Sequence, residues 1–473
     1  MSEHQDCKRC RSEKAVLVSR KEPFCPGCFQ KFISLKQRKQ MMSEQYFQDV
    51  FKVMYQDKVK TAEIAEKMNA ESRILVPLSF GSSSLVMLDV LNDTLKEQLE
   101  VHRGKTGFHV DILICFLGSE DLQNHKDRLQ TLMNTRLLET RNCYKTHFVD
   151  LESFFSSSKR MRVRLEDSSY IVRKVDGASD ATTEPTVKEL LSTCVNRSAR
   201  EDLLNVMKTA TIKLFAAQHA YKAILWGHSM TRLADEIMAL VVKGRAAQIA
   251  NTLDNSSFDS EFDGSFKNLH PMRDILLSEI DAYCHISDLA SLTYNYAPQR
   301  TLLIEEVPDA ENSGSKLARN MTINELARQY FDNIEGNYAN VISTVVRTGA
   351  KLDSPLDALP KMSRCGVCNA RLFKDGSKWL RNITVTSSHH VESEEDRELY
   401  SAWADSEHGK SRGEYIKLNT EFKEQGEVLP TCYGCLLVLG EVRHKIMCWP
   451  DNQSRILQDT MEAYVIGDDD ESN

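Results

Sequence analysis

Eight of the thirteen cysteines in this chain fall into two quartets, Cys7-x2-Cys10 with Cys25-x2-Cys28, and Cys365-x2-Cys368 with Cys432-x2-Cys435. A Cys-x2-Cys turn aims two sulfurs at one point, and two such turns complete the tetrahedral four-thiolate set that zinc takes. A closed four-sulfur site has no open coordination position, so each quartet is expected to hold one structural zinc. Binding would supply folding free energy to segments with little apolar content. The competing readings are four unrelated buried cysteines for the first quartet and two separate turns with free thiols for the second. Cys115, Cys143, Cys284 and Cys448 stand singly in apolar contexts and read as core residues. Cys194 differs, because it lies in a polar stretch just ahead of a long helical pattern, where a helix N-terminus would acidify a thiol. It is the candidate reactive cysteine, with no second cysteine nearby.

Two other groups of residues can do chemistry. Ser79-Phe80-Gly81-Ser82-Ser83-Ser84 follows an apolar run and precedes a helical pattern. Strand, small-residue loop and helix N-terminus bring backbone N–H groups to one point, as phosphate binding requires. Serine-rich helix caps look the same in sequence. The second group is cationic. From Lys8 to Lys39 there are ten Lys and Arg (among them Lys8, Arg9, Arg11, Lys14, Lys36, Arg38 and Lys39) against two Glu, whereas the whole chain carries a formal charge of −8. Such segregation suggests one local anionic partner, with a solvated face as the bland alternative. Phe24 and Phe29 can stack on bases, but beside a metal they read as the ribbon's small core.

The elements that must position these groups follow from periodicity. Residues 1–40 read as an N-terminal zinc ribbon, and Gln37–Met68 as a helical stretch. Between 41 and 345, apolar runs at Arg73–Leu78, Val110–Leu117, Thr146–Leu151 and Ala223–Trp226 alternate with helical patterns. That alternation predicts an α/β domain with a parallel sheet flanked by helices. Insertions are expected near 155–190 and 251–266, the first of them irregular. Residues 346–466 read as a second zinc ribbon split by a long insertion, and 467–473 as an acidic tail. The length of 473 residues, with 41% hydrophobic and 27% charged, fits a globular protein of several units and excludes global disorder. No apolar run approaches the roughly 20 residues of a membrane span. The polar start is unlike a signal peptide, so reduced thiols and a cytoplasmic location are expected.

The order of these motifs is more specific than any one of them. The two-CxxC ribbon ending Cys28-Phe29, the serine loop, Leu225-Trp-Gly-His228, His270-Pro-Met-Arg-Asp274 and the terminal quartet together resemble the PP-loop ATP-pyrophosphatase family that thiolates tRNA. Active members carry Ser-Gly-Gly-x-Asp-Ser in the loop. Here Phe80 replaces the first glycine and Ser83 the aspartate, leaving Ser79, Gly81 and Ser84. Active members also follow Gly-His with Asn-x-Asp-Asp, where this chain has Ser229-Met230-Thr231-Arg232 after His228. Their cysteine pair and distant third cysteine, used in sulfur transfer or to ligate an iron–sulfur cluster, are reduced to Cys194, with none at Tyr294–Ala297.

The resemblance therefore implies a degenerate PP-loop domain in a non-catalytic subunit. Its catalytic partner would adenylate the wobble uridine of lysine, glutamate and glutamine tRNAs with ATP. A thiocarboxylated ubiquitin-like carrier would deliver sulfur. ATP and any iron–sulfur cluster are expected in the partner, and tRNA on the basic ribbon. Ser79, Gly81, Ser84 and His228 would be the remnant of the nucleotide pocket. Two readings stay open beside it: an active sulfurtransferase using Cys194, and a zinc-ribbon interaction module without an RNA role.

Overall fold

A computed structural model of the chain describes residues 6–43, 50, 72–101, 106–156, 160–167, 169–175, 186–254, 257–259, 261–262, 264–294, 302–304, 321–352, 363–383 and 391–451. The strands among these are β1 (Leu17–Ser19), β2 (Glu22–Phe24), β3 (Arg73–Pro77), β4 (His109–Phe116), β5 (Tyr144–Asp150), β6 (Arg160–Glu166), β7 (Ile171–Val175), β8 (Ala223–Leu225), β9 (Lys267–Leu269) and β10 (Ile446–Pro450). They belong to two compact units, each assembled from separated stretches of chain. The first comprises Met1–Leu151, Thr211–Val242 and Ala246–Asp353, and the second Glu152–Ala210, Lys243–Arg245 and Ser354–Asn473.

The first unit contains the expected parallel sheet. Its order is β5-β4-β3-β8-β9, with every neighbouring pair parallel. β3 and β4 are apolar along nearly their whole length because helices cover a doubly wound sheet on both faces. Asp111 interrupts β4 inside this layer. It accepts hydrogen bonds from Tyr221 Oη at 2.5 Å and Arg73 Nη2 at 2.8 Å, and contacts His147 Nε2 at 3.2 Å. Burial alone would raise its carboxyl, but these partners hold it below the usual range.

Helices Ser82–Val101, Ser119–Thr135, Met230–Val242 and Leu277–Ile286 fall where helical patterns were expected, with shifted ends. The last is capped at its first turn, where the Glu279 carboxylate accepts the Leu276 backbone N–H at 3.0 Å. Helix Ile323–Gly349 packs its apolar stripe, including Phe331, Ile342 and Val346, with Leu233 and Leu240 of helix Met230–Val242.

The N-terminal segment is a β1–β2 hairpin followed by a 16-residue helix, Pro26–Met41. Phe24, Phe29 and Ile33 join one apolar cluster with sheet residues Ile74, Val76 and Ile112. The helical stretch expected over Gln37–Met68 therefore starts at Pro26, and residues 44–49 and 51–68 lie outside the described residues.

The second unit is built on a three-stranded antiparallel sheet, β10-β6-β7. The irregular insertion expected near 155–190 is in fact β6, β7 and the short helix Val187–Thr193, apart from 157–159, 168 and 176–185, which lie outside the described residues. Charge concealed the order: β6 alternates arginine with Met161, Val163 and Leu165, and only the latter face is buried. The expected loop 251–266 opens with the short helix Ile249–Leu253. Between the second pair of cysteine turns lie helices Gly376–Ile383, Glu394–Asp405 and Glu407–Glu424. The acidic tail 467–473 lies outside the described residues.

Candidate metal centres and the serine loop

Each quartet converges. In Cys7, Cys10, Cys25 and Cys28, and separately in Cys365, Cys368, Cys432 and Cys435, the four sulfurs lie within 4.8 Å of one another. Such a group can hold one metal ion. Four sulfurs and no carboxylate or imidazole make a soft donor set that excludes magnesium or calcium.

Local structure explains the convergence. In the first quartet the β1–β2 hairpin folds the two turns together, and Cys25 stands directly ahead of helix Pro26–Met41 with Pro26 at its first position. Cys7 and Cys25 are buried and Cys10 is exposed. In the second quartet, Cys432 caps helix Tyr433–Gly440, its Sγ accepting the Cys435 backbone N–H at 3.4 Å. The Cys432 N–H in turn donates to Cys365 Sγ at 3.3 Å. Trp449 is fully buried and donates its Nε1–H to the Val367 carbonyl at 2.9 Å, fixing the first turn.

The second centre has a feature the sequence did not disclose. Arg245, with a side chain only 3% exposed, donates from Nη1 to Cys432 Sγ at 3.5 Å and to Cys435 Sγ at 3.4 Å. Its Nε and Nη2 bind Asp202 Oδ2 at 3.0 and 2.6 Å, and Lys243 reaches Asp202 Oδ1 at 3.3 Å. Gly434 makes room for this arrangement, since a Cβ there would lie 2.4 Å from Arg245 Cγ. A buried guanidinium facing two sulfurs suits thiolates, whose negative charge it partly offsets. In sequence Arg245 lies 187 residues from Cys432, and Asp202 sits in a plain helical pattern, so no spacing pointed to them.

The loop Ser79–Ser84 joins β3 to helix Ser82–Val101 as expected. Ser84 Oγ lies 3.3 Å from Ser79 Oγ and donates to the Gly81 carbonyl at 3.0 Å. Phe80 occupies the left-handed region with φ of +53°, the conformation a glycine accepts without strain. Its ring is fully buried and stacks on His125 with centroids 5.5 Å apart, and its carbonyl accepts the Tyr294 N–H at 2.7 Å. The loop thus keeps a glycine-like backbone while apolar packing and its own hydroxyls occupy its neighbourhood. Gly227 completes the close packing, because a Cβ there would meet Ser84 Cα at 2.8 Å.

His228 stacks between Trp226 and His270, at 5.9 and 5.5 Å. Its Nδ1 is buried without a hydrogen-bond partner among the described residues. Burial lowers the affinity of both imidazoles for a proton, so both are neutral near pH 7. Cys194 corrects an expectation. It is 2% exposed and closes the C-terminal end of helix Val187–Thr193, its Sγ 3.8 Å from the Leu190 carbonyl. Burial pushes its thiol up, the reverse of activation. Residues 295–297, where a third cysteine was sought, lie outside the described residues.

The basic N-terminal residues divide. Lys8 and Arg9 pair with Glu22 at 2.9 and 3.4 Å, and Arg38 with Glu97 at 2.6 Å. Lys36 is largely buried and, with Arg20, binds Glu279, which is fully buried. Despite its burial, Glu279 is held below the usual carboxylate range by Lys36 and Arg20. Lys36 itself is lowered to about 8 by burial, so it remains a cation at neutral pH. Arg11, Lys14 and Lys39 are exposed. Phe24 and Phe29 are buried, as their core reading requires.

The family model described as Cytoplasmic tRNA 2-thiolation protein 2 matches residues 322–437. A curated protein of that name from Kluyveromyces lactis is 46% identical over 98% of this chain and 99% of its own length. The same-named protein of Saccharomyces cerevisiae strain S288c is 37% identical over 98% of this chain and 100% of its own. A U34-tRNA thiolase from Methanococcus maripaludis, solved with its [4Fe-4S] cluster, aligns with 83% of this chain and 100% of its own at 14% identity and a TM-score of 0.46. Full-length identity at this level places the chain in the Cytoplasmic tRNA 2-thiolation protein 2 family.

Proposed function

We propose that this chain is a non-catalytic subunit of a cytoplasmic complex that 2-thiolates the wobble uridine of lysine, glutamate and glutamine tRNAs. Family membership supports the pathway, and the remnant loop carries the non-catalytic assignment. Phe80 fills the position where a phosphate-binding backbone needs an open approach, and Ser83 supplies no carboxylate for Mg²⁺. Burial of Cys194 supports the same conclusion. A catalytic PP-loop partner would bind ATP, adenylate the uridine and receive sulfur from a thiocarboxylated ubiquitin-like carrier.

In this reading the two quartets each hold zinc as a permanent crosslink. Cys7, Cys10, Cys25 and Cys28 tie the hairpin to helix Pro26–Met41, and Cys365, Cys368, Cys432 and Cys435 tie the first turn of the second ribbon to helix Tyr433–Gly440. Exposed Arg11, Lys14 and Lys39 can meet tRNA phosphates directly, with Lys8 and Arg9 available on release of Glu22.

The test is 2-thiouridine content of the three tRNAs on a mercury-affinity gel, in cells with and without the chain. Loss of the retarded band, restored by Cys194→Ala, is expected. An unchanged band refutes the pathway, and failure of Cys194→Ala to restore it refutes the non-catalytic assignment.

A further inference from the structure

β6 displays Arg160, Arg162 and Arg164 on its exposed face, with Met161, Val163 and Leu165 buried between them. Strand geometry places alternate residues about 6.7 Å apart in a straight line. The registers show what surrounds them. Arg160 faces Pro450, Arg162 lies between Cys448 and Val175, and Arg164 lies between Ile446 and Arg173. No cross-strand neighbour in this row is acidic. Like charges directly opposite on a sheet are unfavourable, and at the one such pair, Arg164 with Arg173, Glu166 lies against both.

Carboxylates gather at one end of the row. Glu166 lies 3.3 Å from Arg164 and 2.7 Å from Arg173, and Glu427 takes Arg173 at 2.9 Å. Arg160 donates from Nε to the Phe155 carbonyl at 3.2 Å, which fixes its stem. Arg162 has no ion-pair partner among the described residues. At the Glu166 end, Arg443 and His444 are exposed in the turn entering β10, where His444 and Lys445 adopt φ of +59° and +54°.

We propose that this outer face of β6 binds the phosphate backbone of a nucleic acid, and, resting on the function proposed above, that the nucleic acid is tRNA. Guanidinium groups match phosphate oxygens bidentately, and a row fixed on a strand holds a backbone in register without reading bases. Arg162 differs from most of the N-terminal cations, since Lys8, Arg9, Lys36 and Arg38 already hold carboxylates.

The experiment measures binding of the purified full chain to a labelled tRNA transcript across a KCl series. Wild type is compared with Arg162→Gln and with R160Q/R162Q/R164Q, each checked for metal content and melting temperature. The triple variant is expected to bind at least about tenfold more weakly at low salt, and its salt slope to fall by about 0.7–0.9 for each phosphate that is no longer neutralised. Arg162→Gln, which breaks no ion pair among the described residues, is expected to reduce the slope by the amount due to about one phosphate, and carries the test if the triple variant misfolds. Wild-type affinity and slope in the folded variants would overturn the proposal. So would absence of tRNA binding by wild type, or capture of polyglutamate in its place, which would assign the face to an acidic protein. Those results would leave the thiolation role standing, because it is read independently from 2-thiouridine in cells.

Discussion

At the scale of single residues, Arg245 shows how much of a metal centre lies outside its ligands. Its guanidinium joins Asp202 to the sulfurs of Cys432 and Cys435, and Gly434 leaves room for it. Replacement by methionine keeps the packing volume but removes the donors. Arg245→Met is expected to lose metal from the second quartet about 10–100-fold more readily, read as metal stoichiometry and release rate in a chromogenic chelator assay. The first quartet provides the internal control, since the side-chain partners of Arg245 are Asp202, Cys432 and Cys435. The eight cysteines themselves were legible from spacing, because a tetrahedral thiolate set dictates a turn length. Arg245 and Asp202 were not, because their contact is made by the fold between residues 43 apart in sequence. Phe80 teaches the same lesson in reverse. The sequence shows a lost glycine, but only the structure shows that the left-handed backbone survived the loss.

At the scale of elements, the N-terminal hairpin and helix are tied to helix Leu277–Ile286 by a compact ionic cluster. Glu279 accepts from Ser19 at 3.0 Å, from Arg20 at 2.7 Å and from Lys36 at 3.1 Å, while also capping its own helix. Glu279→Gln leaves two cations facing a neutral amide. Breaking a buried pair from one side typically costs about 3–5 kcal/mol, and Arg20 is half exposed, so about 3 kcal/mol is expected. A lower urea midpoint with an unchanged slope would show it. The parallel strands were readable because double burial leaves near-continuous apolar runs. β6 was not, since its single buried face lies under alternating arginines that mimic a solvated loop in composition.

At the scale of the whole molecule, stability should depend on pH through a few buried carboxyls of opposite character. Burial raises Asp235 and Asp281 to about 7, despite Arg232 and Arg328 near the first and Ser82 near the second. Their folded state holds protons that the unfolded chain gives up near pH 4. Their contribution is therefore complete below that value and is lost as pH rises through about 7. Glu279 and Asp111, held low by cations and hydrogen bonds, act oppositely and lose their contribution in acid, as pH falls through their depressed values. Denaturant midpoints are expected to fall between about pH 4 and pH 8, and Asp235→Asn to flatten part of that decline. The second unit also has an unusual chain path: its sheet takes β6 and β7 from residues 160–175 and its other edge strand, β10, from residues 446–450. During synthesis on the ribosome, β6 must therefore wait for more than half the polypeptide to emerge before that edge is closed. Until then Met161, Val163 and Leu165 have an open strand beside them, an invitation to pair with another nascent chain. The arginines on its other face then serve as gatekeepers, keeping waiting chains apart by charge before the fold gives them any other work.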